Sequence, residues 1–185
     1  MENSLDSLNF DEEGEAIKEL LEKVDSFPPA KTEWFVISMT WWNKWKQYVA
    51  EPDQEPPGVI DSNDILLDPK EFIQYKERAA DPCNNILKPG LRGDVEYKLL
   101  PHNVWRLLIN KYKCKPNSVL RRYSIDISEY ETQVEVHLRP LKFVIMPRRE
   151  RPIEISTEKV LYTSRKDKIG NLYPKLTEAY NQGVE

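Results

Sequence analysis

Residues 32–49, TEWFVISMTWWNKWKQYV, constrain the fold more than any other stretch of this chain. Trp34–Ser38 is dense in aromatic and β-branched side chains and reads as a strand. Thr40 is expected to cap the helix that follows. That helix places Trp41, Trp42, Trp45, Tyr48 and Val49 on a broad apolar face, with Lys44, Lys46 and Gln47 turned away. A buried aromatic removes ~150–250 Å² from water, so helical spacing favours core positions for Trp45 and, further along, Trp105. Adjacent helical side chains point about 100° apart. One of Trp41 and Trp42 is therefore expected to stay partly exposed.

The remaining elements follow from periodicity and punctuation. Residues 1–11 read as disordered. From Glu12 a helical pattern runs through Ile17, Leu20, Leu21 and Val24, and Pro28 and Pro29 stop it. Residues 51–63, EPDQEPPGVIDSN, form a turn-rich loop. Asp68-Pro69 has the chemistry of a cap followed by a first helical residue, which predicts a short helix through Phe72, Ile73 and Tyr75, closed by Asp81-Pro82. Lys88-Pro89-Gly90 is a turn. A short strand is expected at Val95–Leu99 and a helix at His102–Tyr112, burying Val104, Leu107, Leu108 and Tyr112. Lys115-Pro116-Asn117-Ser118 breaks it, and Val119–Ile125 reads as a strand. Thr132–Leu138 alternates Val134, Val136 and Leu138 against Gln133, Glu135 and His137, the pattern of a half-buried strand. Two further strands, Leu141–Met146 and Glu158–Thr163, flank the basic loop Pro147–Pro152. Ser164 with Asp167 forms a near capping box, and a last helix carries Ile169, Leu172, Tyr173, Leu176 and Tyr180 on one side.

Composition excludes several classes. The chain is 39% hydrophobic, 10% aromatic and 31% charged, enough apolar material for a core. It holds no apolar run near the ~20 residues of a membrane span and no secretory leader pattern at its N-terminus. Two cysteines without a CxxC spacing are too few for a disulfide framework or a structural zinc site. A reduced, cytoplasmic or nuclear setting and a monomer are expected. Residues 1–25 hold nine acids against Lys18 and Lys23, while the whole chain carries only -4. An acidic leader on a mildly basic body is not the concentrated basic face of a nucleic-acid binder. It reads as a solvated arm, the alternative being a partner-binding segment.

Catalytic chemistry is not legible. A nucleophilic cysteine needs a base and a group to orient that base. Cys83 and Cys114 with His102 and His137 show no such signature. Asp61, Asp64 and Asp68 lack the glycine and terminal glutamate of a calcium loop, and turn or capping roles suit them. No catalytic, metal or cofactor residues are assigned, and no cofactor is expected.

Three segments taken together resemble one family. They are TEWFVISMTWWNKWKQYV at 32–49, PPGVIDSNDIL at 56–66, and LKPGLRGDVEYKLLPHNVWRLLINKYKCKP running into NSVLRRYSI at 87–125. In order and spacing they look like a DUSP domain, the domain in ubiquitin-specific proteases. The resemblance departs at Leu67–Asn85, which is longer than usual, and at Lys113-Cys114-Lys115, where the family often has glycines. Residues 132–180 are similar to the first half of the ubiquitin-like domain that follows in several of these proteases.

The resemblance implies an α+β fold: a small helical bundle beside a three-stranded antiparallel sheet, followed by a partial ubiquitin-like β-hairpin and helix. The expected organisation is a leader at 1–14, a DUSP-like domain at 15–130 and the ubiquitin-like part at 131–185. It also implies a non-catalytic module whose partners are proteins; the lack of a long apolar run speaks against a membrane, and the charge placement against nucleic acid. The protein-binding candidates are Pro57, Gly58, Val59, Ile60 and Asp61, with Trp41 and Trp42. A proline-rich loop is preorganised and loses little entropy on binding. The plain alternative is a connector with Ile60 in the core and Asp61 capping a turn. Arg121-Arg122 and Arg148-Arg149-Arg151 read as solvated edge charges or as contacts for an acidic partner. Ile17, Leu20 and Leu21 are expected to pack on their own domain.

Overall fold

The computed structural model describes residues 10–24, 28–51, 53–73, 85–144 and 158–181. The expectations placed on Tyr75, the Asp81-Pro82 stop, Cys83, Met146, and Arg148, Arg149 and Arg151 of the basic loop lie outside these residues. So do the disorder expected over residues 1–9 and the side chain of Tyr180.

Helix α1 spans Phe10–Glu22, strand β1 Glu33–Ser38 and helix α2 Met39–Ala50. Strand β2 at Tyr97–Pro101 leads directly into helix α3 at His102–Tyr112. Strands β3 at Leu120–Asp126 and β4 at Thr132–Val134 complete an antiparallel sheet in the order β2-β1-β3-β4. The sheet therefore has four strands where three were expected. The fourth arises because the turn after β3 closes tightly, Ile127 N–H donating to the Glu131 carbonyl at 2.7 Å. That brings Val134 back opposite Ser124.

β1 is buried on both faces, which explains its nearly continuous apolar run. Phe35 and Ile37 join Leu100 beneath the helices, in a core with Trp41, Trp42, Trp45, Tyr48, Trp105 and Leu108. The Phe35 ring stacks on Trp105 with centroids 4.7 Å apart. On the opposite face Val36, Tyr97 and Leu120 pack with Ile65, Leu66 and Leu87. An α+β fold of helices against an antiparallel sheet is thus present.

Boundaries differ from the sequence reading where side chains override local signals. Helix α2 is capped by Ser38, whose Oγ accepts from Thr40 N–H at 3.1 Å and donates to Asp64 at 2.6 Å. Thr40 was the expected cap, but its hydroxyl also turns to Asp64. β2 begins at Tyr97 because residues 92–96 form a turn, Glu96 N–H donating to the Arg92 carbonyl, and Val95 is left exposed. Asp68 caps as expected, but the helix it starts is one 3-10 turn at Pro69–Glu71. β4 stops at Val134, and Glu135 is buried, not outward. Its carboxyl accepts from Ser164 Oγ at 2.5 Å and Arg165 N–H at 2.7 Å, which pulls it inward. Arg122, expected at a solvated edge, is only 4% exposed. Its guanidinium donates to the carbonyls of Asn85, Arg121 and Val136 at 2.7–2.9 Å.

Strands β5 at Arg139–Val144 and β6 at Glu158–Thr163 form a separate antiparallel pair, followed by helix α4 at Ile169–Asn181. The pair is tied to the segment after the Pro69–Glu71 turn by Ile73 N–H donating to the Val160 carbonyl at 2.8 Å and by Phe72 set edge-on to Tyr162. The apolar stripe expected on α4 is covered in part, with Leu172 and Leu176 half-buried. Ile169 is 86% and Tyr173 74% exposed. Among the described residues no helix is long and apolar enough to cross a membrane.

The solvated-arm reading of the acidic segment fails at Glu13. α1 starts at Phe10, two residues before the expected start, and Glu13 is fully buried. Its carboxyl oxygens accept from Trp45 Nε1 at 2.8 Å and Tyr112 Oη at 2.7 Å, and pair with Lys111 Nζ. Burial, with the Glu13 carboxyl beside it, holds the Tyr112 phenol far above its ordinary range. Ile17 one turn later is fully buried, and Leu20 and Leu21 pack on the same core, as expected. Glu13→Ala removes the acceptor shared by three donors and should cost about 2–4 kcal/mol. Glu13→Gln keeps part of the bonding and should cost about 1–2 kcal/mol. Urea unfolding of both variants, read at the midpoint with an unchanged slope, measures the difference.

Candidate protein-interaction loop

The loop Pro56–Asp61 is seated at two buried positions, Pro57 and Ile60. Pro57 is buried, Gly58 and Val59 are exposed, and Ile60 is fully buried. Ile60 forms an isolated parallel bridge to Cys114, just past α3. Its N–H donates to the Lys113 carbonyl at 3.2 Å, and its carbonyl accepts from Lys115 N–H at 2.9 Å. Ser62 continues the attachment: its Oγ accepts from Ser38 N–H at 3.1 Å and its N–H donates to Ser118 Oγ at 3.3 Å.

Just before these anchors the chain turns over at Gly58, where φ is +71°. A side chain would be strained there for conformational reasons alone, since a Cβ would meet nothing within 4 Å. The Gly58 carbonyl accepts from Trp41 Nε1 at 3.1 Å. Val59 then stands 54% exposed at the tip. Trp41 and Trp42 are 4% and 5% exposed. The expectation that one of them reaches solvent does not hold, because Trp41 lies edge-on to Tyr112 and Trp42 stacks on Trp45. Trp41 supports the loop from beneath. Of the seven candidate residues, Gly58, Val59 and the half-exposed Asp61 are accessible; Pro57, Ile60 and the two tryptophans form the base.

Asp61 pairs with Lys115 at 2.9 Å and accepts from Asn63 N–H at 3.0 Å. Partial burial pushes its carboxyl up, but Lys115 and the Asn63 N–H outweigh this and hold it below the usual range. The capping role and the core position of Ile60, both parts of the connector reading, are therefore present. They coexist with an exposed, rigid tip.

Cys114 contacts Ser118 Oγ at 3.5 Å, and burial pushes its thiol up. His102 bonds Glu33, and His137 bonds the Leu91 carbonyl. Among the described residues no hydrogen bond joins Cys114 to either imidazole, and no acid, histidine and cysteine group has the arrangement of a metal site.

Lys113 sits at φ 59°, ψ -179°, a region that almost only glycine adopts. It is held there because its N–H caps α3 on the Ile109 carbonyl while its own carbonyl takes the Ile60 N–H. Sequence reading found the departure from glycine at this position but not the strain. Relief of about 1–3 kcal/mol exceeds the roughly 0.5–1 kcal/mol entropy cost of glycine. Lys113→Gly should therefore raise stability by about 1 kcal/mol, seen as a higher thermal midpoint.

Comparison with known proteins adds the family. The DUSP domain family matches residues 31–124, from the approach to β1 through most of β3, and leaves α1 outside. Ubiquitin carboxyl-terminal hydrolase 5 of Arabidopsis thaliana is 22% identical across 99% of this chain, which covers 21% of that protein. Inactive ubiquitin-specific protease 5 of Oryza sativa subsp. japonica is 22% identical across 92% of the chain, which covers 46% of it. Ubiquitin carboxyl-terminal hydrolase 4 of Rattus norvegicus is 29% identical over 44% of the chain and 8% of its own length. The chain thus spans less than half the length of these relatives. With a match over half of its residues, covering β1, α2, the Gly58 loop and α3, the chain belongs to the DUSP domain family.

Proposed function

We propose that this chain is a non-catalytic protein-interaction module of a ubiquitin-specific protease, a cysteine-type deubiquitinase. There it recruits substrates or regulators, or tunes the catalytic domain. The observation that supports this most is the Gly58-Val59 tip, a rigid apolar point on a buried aromatic base inside the DUSP match. Such a point loses little conformational entropy when a partner closes over it. Residues 131–185 are read as part of a ubiquitin-like domain on the strength of the β5-β6 pair and helix α4, although β4 within them pairs with β3 of the first sheet.

A second reading is a free-standing adaptor with no protease attached. It is favoured by one relation: a rice relative called inactive, of which this chain covers 46%.

The purified chain is expected to release no fluorophore from a ubiquitin C-terminal fluorogenic substrate. Turnover that disappears in Cys114→Ser would overturn the non-catalytic assignment. Val59→Asp, confined to the exposed tip, should change stability by no more than about 0.5 kcal/mol. It should lower recovery of protein partners in a pull-down about tenfold, corresponding to ~1.4 kcal/mol of contact energy. Equal recovery by the folded variant would remove the loop from the interaction surface.

A further inference from the structure

Helices α1 and α2 leave an open groove of about 680 Å³ between them. Gly14, Ile17 and Leu21 of α1 line one side, and Trp42, Trp45 and Val49 of α2 the other. On each helix these residues run from i to i+7, so the groove extends about 10 Å along both axes. Gly14 lets the helices sit close together, since a Cβ there would stand 3.5 Å from Val49 Cβ. Leu21 and Val49 are half-buried and Ala50 at the end of α2 is exposed, so apolar surface is open to solvent. A seam of this kind between two helices receives the apolar face of a third.

The rim is charged. Glu15, Lys18 and Glu22 border the groove on α1, and Lys46 borders it on α2. The exposed charges of α1 lean acidic: Glu12, Glu15, Glu19 and Glu22 stand against Lys18, with Lys23 just past the helix already paired with Glu19. A helix that fits here brings a short apolar ridge and basic residues beside it. The same chain displays one. Ile169 and Tyr173 stand one turn apart on α4 and are 86% and 74% exposed. Arg165, Lys166 and Lys168 lead into that ridge and are exposed, while Asp167 between them is paired with Lys175 at 2.9 Å.

We propose that α4 of one copy of this chain docks in the α1–α2 groove of a second copy. Ile169 and Tyr173 rest on Leu21, Val49 and Ala50, and the basic residues ahead of α4 face the carboxylates of α1. The contact is heterologous, groove meeting ridge. One helix in a groove buries less than the ~1,600 Å² of a standard interface, so the association is weak and the monomer expected from the sequence is its dilute form. The inference stands apart from the Val59 loop and from the reading built on it.

Two variants at exposed positions isolate the contact. Ala50→Arg blocks the groove with bulk and like charge but keeps the ridge. Tyr173→Glu removes the ridge but keeps the groove. The full ¹⁵N-labelled Tyr173→Glu chain is titrated with unlabelled Ala50→Arg chain, and its backbone amides are followed by NMR. The Gly14, Leu21 and Val49 signals should shift and saturate with a dissociation constant on the order of 100 µM. When the added chain carries both substitutions, the affinity should fall at least about tenfold. Amide signals that stay fixed up to about 1 mM of added chain, in spectra whose dispersion shows both chains folded, overturn the proposal. A shift of equal size and affinity with the doubly substituted chain also overturns it, since the ridge is then not what enters the groove. Either failure leaves the pull-down result for Val59 as it stands.

Discussion

The carboxyl group of Glu13 joins three helices at one point. It lies on α1 and takes hydrogen bonds from Trp45 on α2 and Tyr112 on α3, with Lys111 closing the pair. In a buried setting such a group is costly unless its oxygens are filled, and here they are. The arrangement also orders the aromatic core. Trp45 is held by its N–H, Trp42 stacks on Trp45, and Tyr112 is oriented against Trp41. A segment that lies outside the matched family region, α1, thereby becomes part of the domain's interior.

The same aromatic network reaches the candidate loop. Trp41 is fixed in the core on one side and hydrogen-bonded to the Gly58 carbonyl on the other. The strained Lys113 turn sits next to it, and its carbonyl takes the Ile60 N–H. Strain of this kind persists only where the surroundings over-determine it. Here the α3 cap and the Ile60–Cys114 bridge do so from two directions. Val59 is consequently displayed by a backbone with little freedom of its own, which is the property a recognition point needs.

Much of this architecture is legible in the sequence. The strand-then-helix run at 34–49, α3 at His102–Tyr112 and β6 at Glu158–Thr163 follow from periodicity, because each has a strong single-period pattern. The loop was legible too: a Pro-Pro-Gly flanked by a buried-type Ile and a capping Asp encodes its own anchors. Other features were missed for a physical reason. Ser38 and Thr40 are equivalent as local caps, and Asp64, 24–26 residues away, decides between them. Glu135 and Arg122 look outward by pattern, yet each is turned inward by partners remote in sequence. Glu13 did carry a signal, since it falls one turn before Ile17 on the same helical face.

By itself, the sequence determined the elements, their order, the aromatic core and the family, because these depend on local spacing of apolar side chains. Only the tertiary structure decided which polar groups are buried and which of the loop residues face solvent. Those outcomes depend on which donors and acceptors meet across long stretches of chain. Spacing along one helix or strand carries no record of that meeting.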